Sequence, residues 1–278
     1  MKKFLGLFCL MGVLSLQAGQ DFVPIQERAQ GQALVGSAQL NDSLYSNPAA
    51  SSFLNVYSVE GSLSLPKNFA VSVLDTKTSN LGGAIGYFRR ETEDDYYQPG
   101  VTHGGRSTFI QGAKLSLMGR VANSIGIGIS GKSIWGPNII GKDDKILDAD
   151  VGALYNGGFF QLGASLRNIF GGKESMQFSR EYSLGGRITY EQILSLSVAT
   201  QSKFNVAAPY QYGVGVEYVS PYYFAIRGGY RTLIREREHF WSLGASFVSP
   251  RLSLHYALEI PNQTNSVSEH TFGTTLLF

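Results

Sequence analysis

The chain is almost without thiols. Its single cysteine, Cys9, lies in an apolar run near the N-terminus, so an internal disulfide is excluded for the 278-residue chain. Charge of one sign is also lacking. A formal net charge of +2, with no run of lysine or arginine, gives no case for nucleic acid as a partner. Beyond residue 20 no stretch approaches about 18 apolar residues, which excludes a membrane-spanning helix. No metal-ligand cluster, phosphate-binding loop or carboxylate dyad is spaced for chemistry. His270 has no convincing serine partner. No metal, cofactor or catalysis is therefore expected.

Glycine, tyrosine and phenylalanine are plentiful: 33, 15 and 17 residues. Mean hydropathy is −0.04, the value of a soluble protein. Strands that alternate lipid-facing and lumen-facing residues give the same average, because the two faces cancel. Composition alone leaves a soluble β-sandwich open. The N-terminus argues against it. Lys2 and Lys3 precede an apolar stretch from Phe4 to Leu16, followed by the small residues Ala18 and Gly19. That order is a secretory signal peptide, assigned to residues 1–19, and it is too short to span a bilayer.

The mature chain shows period-two segments of about ten residues between turn-forming clusters, the pattern of a transmembrane β-barrel. Tyr210, Tyr212, Val214, Val216 and Tyr218 share one face, opposite Gln211, Gly213, Gly215 and Glu217. Tyr182–Tyr190 and Leu252–Ile260 repeat the arrangement. Roughly fourteen strands are expected by this template. They start near Asn55, Phe69, Leu81, Thr108, Ser124, Leu147, Phe159, Arg180, Ile193, Tyr210, Tyr222, Phe240, Arg251 and Glu269. Short connections (Thr78–Asn80, Gly119–Asn123, Asn156–Gly158, Glu191–Gln192, Ser220–Pro221, Ser249–Pro250) alternate with longer polar ones (Glu91–Ser107, Gly136–Ile146, Phe170–Ser179, Phe204–Pro209, Thr232–Glu238, Pro261–Ser268). Pro66–Asn68 is the short exception. This asymmetry is that of bacterial barrels, with periplasmic turns short and external loops long. The alternation His270, Phe272, Thr274, Leu276, Phe278 ends on an aromatic, the form of signal read by the barrel-insertion machinery.

The expected architecture is all-β: a transmembrane antiparallel barrel over 55–278, preceded by a plug or hatch segment over 20–54. Alternation sends a set of charges to the lumen: Glu60, Lys114, Lys132, Asp148, Asp150, Arg167, Arg187, Glu217, Arg227, Arg231, His255 and Glu259. Both signs occur, so a pairing network that closes the lumen is the simplest account, and a solute path the sharper one. Asn47-Pro48-Ala49 closes the N-terminal segment. Pro48 holds Asn47 in an extended geometry, and the Asn47 amide can tie the backbone, making a rigid corner where plug meets wall. Gly82 and Gly83 mark a candidate kink in the third strand.

The stretch from Ala29-Gln-Gly to Asp42-Ser-Leu-Tyr-Ser-Asn47-Pro48-Ala49 resembles the hatch of the FadL-type outer-membrane transporter superfamily and of its smaller PorV-like relatives. The resemblance implies fourteen strands, an outer-membrane location, and passage of hydrophobic, fatty-acid-like molecules past the hatch and out sideways through the wall. It places the lateral opening at Gly82 and Gly83. The implied partners are outer-membrane lipids, a hydrophobic solute and, through Phe278, the insertion machinery. The alternative is a sealed barrel that serves as a docking or assembly partner for envelope or secretion proteins. A water-filled porin ranks below both, because the N-terminal segment would obstruct it.

Overall fold

A computed structural model describes residues 21–65, 68–91, 109–138, 140–173, 176, 178–204, 209–234, 237–262 and 268–278. The expected signal peptide, with Cys9, lies outside the described residues, as does most of the connection from Glu91 to Ser107.

Alternating side chains make each segment two-faced, and a strand of that kind needs a different environment on each side. The chain forms fourteen such strands: β1 Tyr57–Leu65, β2 Asn68–Asp75, β3 Leu81–Glu91, β4 Phe109–Ala122, β5 Ile125–Pro137, β6 Asp143–Asn156, β7 Phe160–Lys173, β8 Phe178–Tyr190, β9 Leu194–Lys203, β10 Gln211–Val219, β11 Phe224–Leu233, β12 Glu238–Val248, β13 Leu252–Pro261 and β14 Glu269–Leu277. Each pairs antiparallel with its neighbours in sequence. β1 meets β14 from Ser58↔Leu277 to Leu65↔His270, which closes the ring. Closure leaves no edge strand with unpaired backbone groups, the condition for spanning lipid with sheet.

The outward face is apolar. On β10, Tyr212, Val214, Val216 and Tyr218 stand 42–45% exposed, while Gln211, Gly213 and Gly215 between them are turned inward. An exposed apolar belt that runs round a closed barrel belongs in lipid. The last residue completes the ring: the Phe278 N–H donates to the Tyr57 carbonyl at 2.9 Å, and their rings meet edge to face at 5.6 Å.

Strand starts lie close to those expected from alternation. The largest difference is at β6, which begins at Asp143 rather than near Leu147. The Gly136–Ile146 connection is correspondingly short. Its turn-forming residues are paired instead, with Gly136↔Asp144 and Pro137↔Asp143 extending the β5–β6 ladder. Likewise β7 runs to Lys173 and β8 starts at Phe178, inside the expected Phe170–Ser179 loop. Tyr210 also differs. It was expected on the outward face, but it precedes the first ladder pair of β10 and so escapes the pleat. It is buried, and its hydroxyl donates to Gln201 Oε1 at 2.9 Å.

Residues 21–56 contain one turn of helix, α1 (Ile25–Ala29), and a 3-10 turn at Asn41–Leu44. This segment meets inward residues all round the ring. Asn41 hydrogen-bonds Ser58 of β1 and Ser72 of β2, and Leu44 lies on Gly86 of β3. Asp21 pairs with lysines of β4 and β5, and Asn47 reaches Ala153 of β6. Val35 lies against Gly163, Gly185 and Ala199 of β7, β8 and β9. Gly31 meets Gly213 and Tyr230 of β10 and β11, and Ala29 meets Gly244 and Ala257 of β12 and β13. Ile25 rests on Gly273 of β14. Only a position within the ring allows all of these contacts.

Candidate functional site

The interior is where sequence and fold concentrate polar chemistry, and the inner segment organises it. At several places where that backbone runs flush with the wall, the wall residue is glycine. A Cβ at Gly152 would overlap Asn47 Oδ1, and one at Gly128 would overlap the Pro48 carbonyl. Asn47 is fully buried. Its Nδ2 donates to the carbonyls of Val35 (2.8 Å) and Ala153 (3.1 Å), and its Oδ1 accepts from the Ala49 N–H (3.0 Å). One side chain thus joins two turns of the inner segment to β6. Pro48 seats against Gly128, and Ala49 is buried.

All twelve charges assigned to the lumen by alternation point inward, Arg187 being the least enclosed. Most of them fall into separate ion-paired groups. Lys114 lies 3.1 Å from Asp21 and 2.5 Å from Asp150, and Lys132 lies 2.9 Å from each of the same two carboxylates. Two cations and two anions, each side chain at most 2% exposed, make a compact square. Desolvation of this depth requires full pairing. Glu217 is held between Arg187 and Arg227, at 2.6 Å from each. Arg231 meets Glu259 at 2.9 Å, and Arg28 of the inner segment reaches Glu269 and Glu259. Arg167 pairs with Glu181 at 3.1 Å. Asp148 accepts the Phe170 N–H at 3.0 Å.

His255 and Glu60 lie on a directed chain. Arg227 donates to Ser246 Oγ, which lies 2.8 Å from His255 Nδ1. His255 Nε2 lies 3.2 Å from Thr275 Oγ1, and Thr275 donates to Glu60 at 2.9 Å. Donor directions along this chain place the imidazole proton on Nε2.

Above the Lys–Asp square, toward the long connections, the inner wall turns apolar. Cross-strand pairs Phe88↔Gly112, Gly112↔Ile134 and Ile134↔Ile146 make one row over β3 to β6. Ile110, Met176 and Phe178 pack on it, and all are buried. Phe22 and Tyr45 of the inner segment join Phe88 in a three-ring cluster, with centroids 5.3–6.2 Å apart.

Gly82 and Gly83, where a kink is expected, lie at the start of β3. On the β4 side the ladder runs through Gly82↔Met118 and Gly83↔Leu117, and on the β2 side pairing ends at Asp75↔Gly83. Gly82 also has a packing reason: a Cβ there would come 2.7 Å from Thr76 Cγ2. Asp21, Arg28, Glu181 and Glu269 belong to the charge groups but were missed. Glu181 shares the parity of Ser183, Gly185 and Arg187, so alternation carries its signal. Asp21 and Arg28 lie where no alternation exists.

No family model and no curated protein matches the chain. Solved structures do. The Ralstonia pickettii toluene transporter TbuX is similar over 95% of this chain and 98% of its own, with a TM-score of 0.63 and 12% identity. The Pseudomonas putida toluene transporter TodX covers 90% and 96%, with a TM-score of 0.63 and 11% identity. A Pseudomonas aeruginosa FadL homologue covers 91% and 97%, with a TM-score of 0.59 and 12% identity. Likeness at such identity is likeness of fold. The closed ring and its apolar belt make this chain a transmembrane β-barrel, and these neighbours give it a FadL-type fold.

Proposed function

We propose that the protein passes hydrophobic, fatty-acid-like small molecules across the outer membrane, with residues 20–54 acting as the hatch and the solute leaving sideways into lipid. The observation that carries the reading is the apolar inner row at the outer end of β3 to β6, roofed by Met176 and Phe178 and floored by the Lys–Asp square. The fold neighbours are named as toluene transporters and a FadL homologue, which supports a hydrophobic solute.

The test is uptake of radiolabelled oleate by cells of a host without its own outer-membrane route for long-chain fatty acids. Expression of the protein should raise uptake. Ile134→Glu, which puts a charge into the apolar row, should abolish at least about nine-tenths of that gain while the barrel keeps its heat-modifiable mobility on gels. Uptake equal to that of the empty host would sink the reading.

A second reading keeps one observation of its own. The ion-paired groups and the glycine-backed contacts pack the inner segment tightly, as suits a sealed barrel that docks an envelope or secretion protein. Absence of oleate uptake, with a partner retained by cross-linking in the native membrane, is the outcome that would favour it.

Residues 1–19 are proposed as the export signal and Phe278 as the contact for the insertion machinery. Because Phe278 also closes the ring against Tyr57, Phe278→Ala is expected to slow assembly several-fold. Pulse-chase labelling followed by the gel shift of folded barrel measures this. An unchanged assembly rate would remove the role.

A further inference from the structure

Among the described residues, the barrel wall has one place where its ladder is interrupted well away from a turn. β6 and β7 are both 14 residues long, yet among the described residues they pair only from Val151↔Leu166 to Asn156↔Gln161. On its other side, β6 stays paired with β5 as far as Pro137↔Asp143. β7 leaves β8 at the same height. Pairing jumps from Arg167↔Glu181 to Gly172↔Ser179, so residues 168–171 face Arg180 alone. Asn168 and Gly171 take left-handed φ values of 56° and 104°, which bulge the strand out of both ladders.

Two carboxylates stand in for the missing backbone acceptors. The Asn168 N–H donates to Asp150 Oδ1 at 2.9 Å, and the Phe170 N–H donates to Asp148 Oδ1 at 3.0 Å. A side chain swings away by rotating about its own bonds, whereas a ladder carbonyl moves only with its strand. Two N–H-to-carboxylate bonds replace a run of backbone pairs here, so fewer hydrogen bonds hold this seam than hold the continuous ladders.

Its surroundings fit a hydrophobic passage. The inner apolar row ends on Ile146, at the β6 lip of the seam. Outside, Leu147 and Phe170 are 70% and 75% exposed, so the outer lip is apolar too. Asp148 lies eight residues up β6 from Asn156. That is roughly 20 Å above the turn, at ~3.3 Å per residue and a tilt of about 40°. This height falls within an apolar band about 25 Å tall. Asp150 is also a corner of the Lys114–Lys132–Asp21 square, so the latch is joined to the inner segment.

We propose that hydrophobic solute leaves the barrel sideways between the outer halves of β6 and β7, where the Asp148 and Asp150 carboxylates latch the wall. This inference rests on the transport reading above.

The test closes the seam covalently in the full chain. Leu147 and Phe170 are the exposed apolar residues on the two outer lips of the seam. Leu147→Cys with Phe170→Cys is oxidised, and the disulfide is verified by mass. Val198→Cys with Val214→Cys, an outward pair in the intact β9–β10 ladder, is the control. Oleate uptake should fall at least about tenfold in the first and recover on reduction, and should not change in the second. Asp148→Ala, which removes a latch without a new bond, should raise uptake about threefold. Undiminished uptake through a verified disulfide across the seam, or unchanged uptake in Asp148→Ala where that disulfide does not form, overturns the seam and leaves transport standing. Uptake absent from the unmodified protein overturns both.

Discussion

Gly152→Val is expected to expel the Asn47–Ala49 corner from the wall while the ring of strands stays closed. The new Cβ would overlap Asn47 Oδ1 and lie 3.0 Å from Pro48 Cδ. The backbone of β6 cannot retreat, because it is paired with β5 at Gly128↔Gly152 and with β7 at Gly152↔Ser165. The corner must move instead. Asn47 then loses hydrogen bonds to Val35 and Ala153 in a site without water access. Overpacking costs about 1–3 kcal/mol, and each buried group left unpaired costs a similar amount. The sum is about 3–9 kcal/mol of inner-segment stability. Limited proteolysis reads it directly: cuts within residues 21–54 should appear at least about a hundredfold faster, with heat-modifiable mobility retained. Gly131→Val is the matched control, since a Cβ there meets nothing within 4 Å and faces outward. Equal proteolysis in the two variants would mean that close approach is not why Gly152 is glycine.

This explains much of the glycine content. The ring is narrow, and its inner segment is chain rather than solvent. Gly128, Gly152, Gly163 and Gly213 are each met by inner-segment main chain or by the Asn47 side chain at less than side-chain distance. Alternation places these glycines on the lumen face but does not say what they face.

What could be read from the sequence follows from the same physics. The strands were legible because each is forced into two environments, and period two survives without any tertiary information. The sidedness of charge was legible for the same reason, from Lys114 and Lys132 to Glu217, Arg227, His255 and Glu259. Their partners were not. Which cation meets which anion depends on shear and on the path of the inner segment, and neither is local. Asp21 is the clearest case: it lies next to the expected end of the leader, yet it completes a square with residues more than ninety positions away. The seam was illegible for a further reason. Phe170 to Ser179 carries turn-forming residues and reads as a loop, whereas Asn168 and Gly171 act as a bulge inside a strand. At Gly82 the Thr76 and Met118 side chains come within 3.3 Å of where a Cβ would stand, a close approach that the local sequence does not announce.

The second large effect is expected in the square itself. Lys132→Met removes one of two cations, leaving Asp21 and Asp150 to share Lys114 alone. A buried carboxylate stripped of its partner destabilises by about 3–5 kcal/mol. Asp150→Leu alone leaves the opposite excess and should cost a similar amount, with the Asn168 N–H left without its acceptor in addition. The double variant Lys132→Met/Asp150→Leu restores neutrality, since Lys114 and Asp21 remain paired at 3.1 Å. Its loss should therefore fall below either single loss, giving a coupling of about 3 kcal/mol or more, beyond what additivity allows. Urea unfolding in lipid vesicles, followed through Trp135 and Trp241, supplies the four stabilities. Additive losses in that cycle would show that water or lipid headgroups reach the square and screen it. The interior would then be wetter than its burial implies, and the floor beneath the apolar row would be no barrier to solute.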